Sequence, residues 1–537
     1  MKRNFTQTSK MLRHLFKRDW LKLLIWYLAF VSFAAGFVAP MYDIYGKNPV
    51  GLAGMYETLQ NPAMIALCGT SGARSAEQFS IGAMYAQEML LFTAIIFAIV
   101  AILHVITRTR KEEDDGMLEL IRSFSVGRLA NTVAVLAEML LFHLLVGISI
   151  ACLIQVQQVS GFTDFTSNLV FAFALAGQGF LWATIALFCS QLAKTSGSAK
   201  GLSIAVIGVL YILRMATDMK EVSLSYFNPL SWSYLTSVYV KNDVLPLFWT
   251  LCFSFLMLVF AFQLETRRDM NAGFLPERIG RAYAKKSLLG VDGLIFRLQK
   301  TYIISWVFGI FLGGATYGSI FGDMDKFLDT SPIMKQMFLQ NPKYSIQEQF
   351  MATLFMILAL LSACFALGSM MKLTTEEKRN HLEQIYAMRI SRRKLYFTHF
   401  CLSIICATLG QFVATLGLWL AQLSVMKQPI EWIEIAKAGF VWLPAIYLFI
   451  GVLTLLQGFF PRFTAIIWGM VAYSFFISYF GKLVNLPKIM EKLDIFSYTP
   501  RLPIDKMNAN PLYLLIFSLI CVAIGFVGYK NRDLIGE

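Results

Sequence analysis

The chain has 537 residues, of which 57% are hydrophobic and only 15% charged. A soluble globular mix is about half apolar and a quarter charged, so a mean hydropathy of +0.59 excludes a string of water-soluble domains. The net charge of +14 suits lysines and arginines that face anionic lipid headgroups, and with no RNA- or DNA-binding pattern in the chain no nucleic acid partner is expected.

In chain order, Phe5, Leu12, Leu15 and Phe16 first alternate with Lys10, Arg13, Lys17 and Arg18. This predicts an amphipathic helix over 4–18 lying in the membrane interface. Apolar runs long enough to cross a bilayer, about 20 residues each, follow at 20–40, 85–107, 132–155, 168–192, 199–217 and 244–264. Arg214 and Asp218 crowd the end of the fifth. Residues 265–300 form a linker, in which Leu288, Leu289, Leu294 and Ile295 precede Arg297 and Lys300 as a second interfacial approach. Six more runs stand at 301–321, 351–371, 397–421, 436–457, 463–483 and 511–529. Barrel strands would alternate in polarity over about ten residues, whereas each run here is continuously apolar. The expected fold is therefore an all-α polytopic membrane protein of about 12 transmembrane helices, six in a half spanning 1–264 and six in a half spanning 301–537. The first run is too long for a signal-peptide core and lacks a small-residue cleavage site after it, so it is expected to be retained. Lys and Arg gather in 2–22, 267–300 and 372–394, which places these segments and both termini in the cytoplasm.

Between the second and third runs stands EEDDGMLELIRSFSVGR, residues 112–128. Read as a helix over about 112–126, it carries acids at its N-terminal end, where the dipole favours them. Met117, Leu120, Ile121 and Phe124 then share one face. The device returns 264 residues later as EEKRNHLEQIYAMRISRR, with a second helix expected over about 376–390. At that offset Glu112-Glu113 meets Glu376-Glu377, Leu118-Glu119 meets Leu382-Glu383, Ile121 meets Ile385 and Arg128 meets Arg392. Upstream, Glu77-Gln78-Phe79 matches Glu348-Gln349-Phe350, Asn61-Pro62 matches Asn341-Pro342, and Trp26 matches Trp306. The unbroken order of these matches marks an internal parallel repeat. A short helix with an apolar stripe, held close to the membrane, suits a groove on a cytosolic partner or the headgroup layer, and residue physics leaves both open.

The pattern E-E-x-x-G-x-L-E-L, carried by Glu112, Glu113, Gly116, Leu118, Glu119 and Leu120 with Gly127-Arg128 beyond it, resembles the first cytoplasmic loop of ABC-2 type transporter permeases. Twelve spans in two fused halves are further similar to the bacterial permeases of that family that export polyketide antibiotics. The resemblance implies that this loop is a coupling helix docked on a separate ATPase. The coupling residues would be Glu112, Glu113, Leu118, Glu119, Ile121, Phe124 and Arg128, with Glu376, Glu377, Leu382, Glu383, Ile385 and Arg392 in the second copy. Arg379, His381 and Gln384 depart from the pattern there. It implies that the interfacial approaches are the family's connecting helices. It also implies a substrate path lined by Phe92, Ile95, Ile96 and Ile99, with Phe355, Leu358 and Leu361 opposite, and outer hydrophobic segments at 225–235 and 496–504. No G-x-x-x-x-G-K-[ST] phosphate loop occurs in the chain. ATP and Mg are accordingly expected on two copies of a partner ATPase, with no cofactor here. The implied cargo is a hydrophobic or amphiphilic small molecule such as an antibiotic, exported across a bacterial cytoplasmic membrane.

Ionisable groups at membrane depth are functional candidates. Glu138 and His143 of the third run project about 140° apart on a helix and need not pair directly. A proton-coupled twelve-span transporter using both is the alternative reading. Glu88 and His104 stand near the ends of the second run and are expected to snorkel, while Gln178 and Gln411 are expected to bond between helices. The eight cysteines have no metal-ligand spacing, and Cys68 stands alone in an outer loop. With no catalytic or metal constellation in view, a transport subunit and not an enzyme is expected.

Overall fold

The structure, a computed structural model, describes residues 2–47, 49–275, 282–321, 346–388, 390–426, 428–484 and 488–533. The Asn341-Pro342 part of the repeat and residues 276–281 of the linker lie outside them. Among the described residues there is no strand, and eleven helical segments are long and apolar enough to cross a membrane. The first unit carries the helices α1 (Thr8–Gly36), α2 (Ile81–Arg108), α3 (Arg110–Asp114), α4 (Met117–Arg122), α5 (Ala130–Val156), α6 (Phe165–Leu192), α7 (Ser196–Lys220) and α8 (Leu245–Arg267). The second carries α9 (Val291–Ile320), α10 (Ile346–Lys378), α11 (His381–Ala387), α12 (Arg392–Val425), α13 (Trp432–Phe440), α14 (Leu443–Phe459), α15 (Ile466–Val484) and α16 (Asn510–Asn531). The run expected at 463–483 is α15, whose described apolar stretch is shorter than the others. The described residues cluster into two compact units, one up to residue 275 and one from residue 282.

Helix starts follow from local chemistry. Ser80 Oγ accepts from the Ala83 N–H at 3.1 Å and opens α2, and Ser391 Oγ accepts from Lys394 at 3.2 Å and opens α12. Each satisfies a backbone donor that the first turn leaves orphaned. Asp164 caps α6 through the Thr166 and Ser167 N–H groups. The Ser167 hydroxyl and these backbone donors hold its carboxyl below the usual carboxylate range.

The amphipathic approach does not form a separate interfacial helix over 4–18. It is continuous with the first span in α1, because no Pro or Gly interrupts Thr8 to Ala35. At 1.5 Å per residue its 29 residues reach about 44 Å, more than the roughly 30 Å of a hydrocarbon core. Leu15 and Asp19 are buried in the unit instead of facing headgroups. Of the second approach, Leu294 and Ile295 are likewise in the start of α9, which runs unbroken from Val291, while Leu288 ends a short 3-10 turn, Lys286–Leu288, before it.

In the first unit α6 is the pivot: it packs on α2, α5, α7 and α8, and is buried from Ser167 to Gln191 with few gaps. A helix apolar on every side belongs at a centre. In the second unit the closest pairs are α9 with α12 and α14 with α16. The α9–α12 contact depends on missing side chains, since a Cβ on Gly314 would fall 2.3 Å from the Ala414 carbonyl oxygen and one on Gly318 2.4 Å from that of Leu418. Small residues let backbones approach where no hydrophobic force drives helices together.

Candidate functional site

Both charged loops turn on a residue in the left-handed region. Gly116 adopts φ +75° between α3 and α4, and Asn380, its counterpart 264 residues on, adopts φ +58° between α10 and α11. Gly and Asn are the residues that tolerate this backbone. The single helices expected over 112–126 and 376–390 are therefore each broken in two, with α4 and α11 set off as short separate helices.

In the first unit the break is locked by buried charge. Glu113 receives both terminal nitrogens of Arg268, at 2.7 and 2.6 Å, and the Asn271 N–H at 2.7 Å. Arg110 is buried beside it, 3.3 Å from Glu113 Oε2, and donates to the Lys194 carbonyl from Nε at 2.9 Å. Arg128 donates to the carbonyls of Glu265 and Arg268, and Arg122 reaches the Glu265 carboxylate at 3.3 Å. Glu112 accepts from Arg18 at 2.6 Å, tying the loop to α1. Bidentate arginine–carboxylate pairs fix both position and angle.

The second unit repeats this brace at the same offset. Glu377 accepts from Arg532 at 2.6 and 2.7 Å, and Arg392 donates to the carbonyls of Lys530 and Arg532. Glu376 is held by Lys372 at 3.1 Å and His381 at 2.6 Å. The Tyr386 hydroxyl meets that of Tyr529 at 3.0 Å, and burial pushes it above its ordinary range.

The residues assigned to coupling therefore divide. Glu112, Glu113, Leu118 and Arg128, with Glu377, Leu382 and Arg392, serve the loop's own architecture, which corrects the expectation that all of them face a partner. The acids are drawn in because guanidinium groups from the ends of α8 and α16 wait beneath them, and Leu118 and Leu382 because each is the apolar knob of its short helix. Outward stand Glu119 and Phe124 with Met117 and Leu120, while Ile121 is half-buried. Phe124 is 68% exposed and Leu120 58%. The second loop turns Glu383, His381, Gln384 and Met388 outward and keeps Ile385 half-buried. Sequence reading missed Arg268 and Arg532, although the dipeptides Arg268-Asp269 and Arg532-Asp533 obey the same 264 offset.

One membrane-depth polar group is also placed differently from expectation. His104 does not snorkel: it is fully buried, with Nε2 2.9 Å from Glu138 Oε2 and Nδ1 3.4 Å from Lys22 Nζ. Lys22 lies over the Trp26 ring at 4.2 Å. Asp19, His104 and Glu138 gather closely enough to offer three metal ligands, but Arg108 is bonded to Asp19 and Lys22 adjoins His104. The donor set is already met by cationic side chains and is a poor fit for a metal. Glu138 and His143 have separate partners; His143 Nδ1 gives its proton to the Met139 carbonyl at 2.8 Å. Gln178 donates to the Pro229 carbonyl at 2.8 Å and Gln411 to that of Gly439 at 3.0 Å. Both tie their helices to neighbouring segments.

Of the residues assigned to a path, Phe92, Ile99 and Leu361 are exposed, and Ile95 and Ile96 are half-buried against the first core. Phe355 and Leu358 are fully buried in the second core, with the Phe355 ring against Gly439. Their side of α10 faces the core of its own unit. The outer segment 225–235 also folds inward, where the Tyr234 hydroxyl donates to Asp218 at 2.6 Å and Asp218 in turn pairs with buried Arg214 at 3.1 Å.

These observations define a polytopic all-α membrane protein built from a repeated unit with a braced, partly apolar loop in each copy. A sequence model of the C-terminal domain of the multidrug efflux system permease Rv1217c matches residues 288–530. The whole chain is similar to the multidrug efflux system permease protein Rv1217c of Mycobacterium tuberculosis strain H37Rv, with 26% identity over 533 residues, covering 98% of this chain and 95% of the relative. Both likenesses agree with the resemblance to ABC-2 type permeases carried by the loop motif.

Proposed function

We propose that this protein is the membrane permease of an ATP-driven exporter that moves hydrophobic or amphiphilic compounds, drugs among them, out of the cell. It would sit in a bacterial cytoplasmic membrane with both termini inside and work with two copies of a separate ATPase that binds ATP and Mg. Likeness to a multidrug efflux permease supports the transport reading. The observation that carries the coupling is the outward apolar edge of Met117, Leu120 and Phe124 on a loop pinned by the Glu113–Arg268 pair. An exposed apolar cluster on a rigid mount can receive force from a docked subunit without deforming. The halves at 1–264 and 301–537 would each supply one such mount.

The test is co-purification with a candidate ABC ATPase from the same organism, followed by ATP hydrolysis in nanodiscs. Leu120→Asp with Phe124→Asp is expected to abolish co-purification and stimulated hydrolysis while the permease stays folded. Transport of an amphiphilic dye by the permease alone, driven by a pH gradient, would overturn the reading.

A further inference from the structure

The helix that follows the charged loop starts differently in the two units. In the first, just ahead of α5, the Gly127 N–H donates to the Thr6 carbonyl at 3.1 Å and the Leu129 N–H to that of Asn4 at 3.0 Å. A Cβ on Gly127 would fall 2.3 Å from the Asn4 carbonyl oxygen. Residues 4–6 of the chain thus cover this helix start, and Leu129 and Ala130 are buried. At the 264 offset Ser391 takes the place of Gly127, Arg393 that of Leu129 and Lys394 that of Ala130. All three are exposed, and they line a cavity of about 670 Å³ between α9 and α12.

This cavity has a polar end and an apolar one. Asp292, Ser391, Arg393 and Lys394 stand at the first, and Phe296, Phe397, Cys401 and Ile405 wall the rest. From Arg393 to Ile405 the wall extends about 18 Å along α12, at 1.5 Å per residue. The apolar run of this helix begins at Phe397, so the boundary between headgroups and hydrocarbon crosses the cavity. Phe296, Cys401 and Ile405 are exposed, which opens the apolar wall sideways to the lipid tails.

The charges at the polar end do not balance. Asp292 accepts from Thr398 Oγ1 at 2.5 Å and lies 3.9 Å from Lys394 Nζ. Among the described residues no hydrogen bond or ion pair engages the Arg393 guanidinium. Two cations against one carboxylate leave one positive charge in excess. Guanidinium and ammonium groups are phosphate binders, and the positive end of the α12 dipole adds to them.

We infer that the cavity between α9 and α12 seats one phospholipid whose headgroup carries a single net negative charge. Its phosphate lies against Arg393 and Lys394, and one acyl chain runs along Phe397, Cys401 and Ile405. The lipid supplies in the second unit the cover that residues 4–6 give the first. A zwitterionic headgroup brings no net charge to match the excess. The site requires only that the chain spans a bilayer and is independent of any ATPase partner.

The experiment uses the full chain in phosphatidylcholine nanodiscs with a trace of phosphatidylglycerol that bears a diazirine on one acyl chain. A phosphatidylcholine probe with the same chain is the reference, and labelling of segment 397–405 is mapped by mass spectrometry. The phosphatidylglycerol probe is expected to label this segment about tenfold more, from two basic groups at the membrane surface. Arg393→Leu with Lys394→Ala, which installs the residues of the first unit, should bring the two probes level. Arg393→Gln alone should cost about threefold. Excess unlabelled phosphatidylglycerol should displace the probe, whereas glycerol 3-phosphate should not. Equal labelling by the two probes, or a preference that survives the double change, would overturn the inference. Displacement by glycerol 3-phosphate would mark a free-phosphate site, and absence of label from both probes would mean that another segment covers the cavity; either result also overturns it. Thermal unfolding in detergent gives a second reading, because a lipid bound to the folded state raises the midpoint. Added phosphatidylglycerol should raise the midpoint of the unaltered protein more than that of Arg393→Gln, and an equal rise would contradict the site.

Discussion

Glu113 and Arg268 are 155 residues apart and close on each other through two hydrogen bonds of 2.7 and 2.6 Å. Glu377 and Arg532, also 155 residues apart, do the same at 2.6 and 2.7 Å in the second unit. Each pair staples the loop after the second span of its unit to the end of the last. A movement of α3 or of the C-terminal end of α10 is thereby shared with the end of α8 or α16.

Breaking one staple should be costly. Arg268→Ala leaves the buried Glu113 carboxylate without its main partner, and removing one member of a buried pair costs about 3–5 kcal/mol. Arg532→Ala should behave alike in the second unit. Glu113→Gln combined with Arg268→Gln should recover most of the loss, read as the unfolding midpoint in detergent. A double variant as unstable as Arg268→Ala would contradict the pairing.

The two loops offer unequal surfaces, so their contributions to partner binding should differ. Leu120 and Phe124 face outward in the first, where Gln384 and Met388 stand in the second. Leu120→Ser with Phe124→Ser should weaken ATPase affinity about tenfold or more, in line with well-packed apolar anchors. Gln384→Ser with Met388→Ser should cost less. Titration of the ATPase against the permease in nanodiscs gives both values.

The half-buried Lys22 and the buried His104 and Glu138 have no Lys, His or Glu counterparts in the second unit, where Tyr302, Gly368 and Leu402 occupy the aligned places. The Tyr302 hydroxyl there donates to the Phe365 carbonyl at 2.8 Å and crowds Gly368. Glu138→Leu alone strands His104 and Lys22 and should cost about 3 kcal/mol or more. The triple change Lys22→Tyr, His104→Gly, Glu138→Leu should be milder, because it removes all three interacting polar groups together. Expression yield and unfolding midpoint separate the two outcomes.

Gly314→Leu should separate α9 from α12, since the Ala414 carbonyl lies 2.3 Å from the new Cβ. Overpacking of this kind costs about 1–3 kcal/mol or more. Gly313→Leu, one residue earlier, meets nothing within 4 Å and should be close to neutral in the same unfolding assay.

Burial pushes the Cys68 thiol up to about 12. At pH 8 its alkylation should run about fiftyfold slower than that of an ordinary thiol, because the loss of thiolate outweighs the gain in nucleophilicity. The rate should climb roughly tenfold per pH unit between 8 and 11. Mass spectrometry of Cys68 peptides after timed alkylation measures this.

Sequence alone determined the helical, many-spanning architecture, because continuous apolar runs leave the backbone no other way to satisfy its hydrogen bonds in lipid. It also determined the repeat, since Glu113, Leu118 and Arg128 recur in register at Glu377, Leu382 and Arg392. Only the tertiary structure decided which way those residues face. An acid at a helix start reads the same whether it meets solvent, a partner or its own chain, and Arg268 and Arg532 settle the matter from 155 residues away. The same holds for His104, which lies close enough to a helix end to look free until Glu138 of another helix comes within 2.9 Å. Periodicity fixes what a residue shares a helix face with, and packing alone fixes what that face meets.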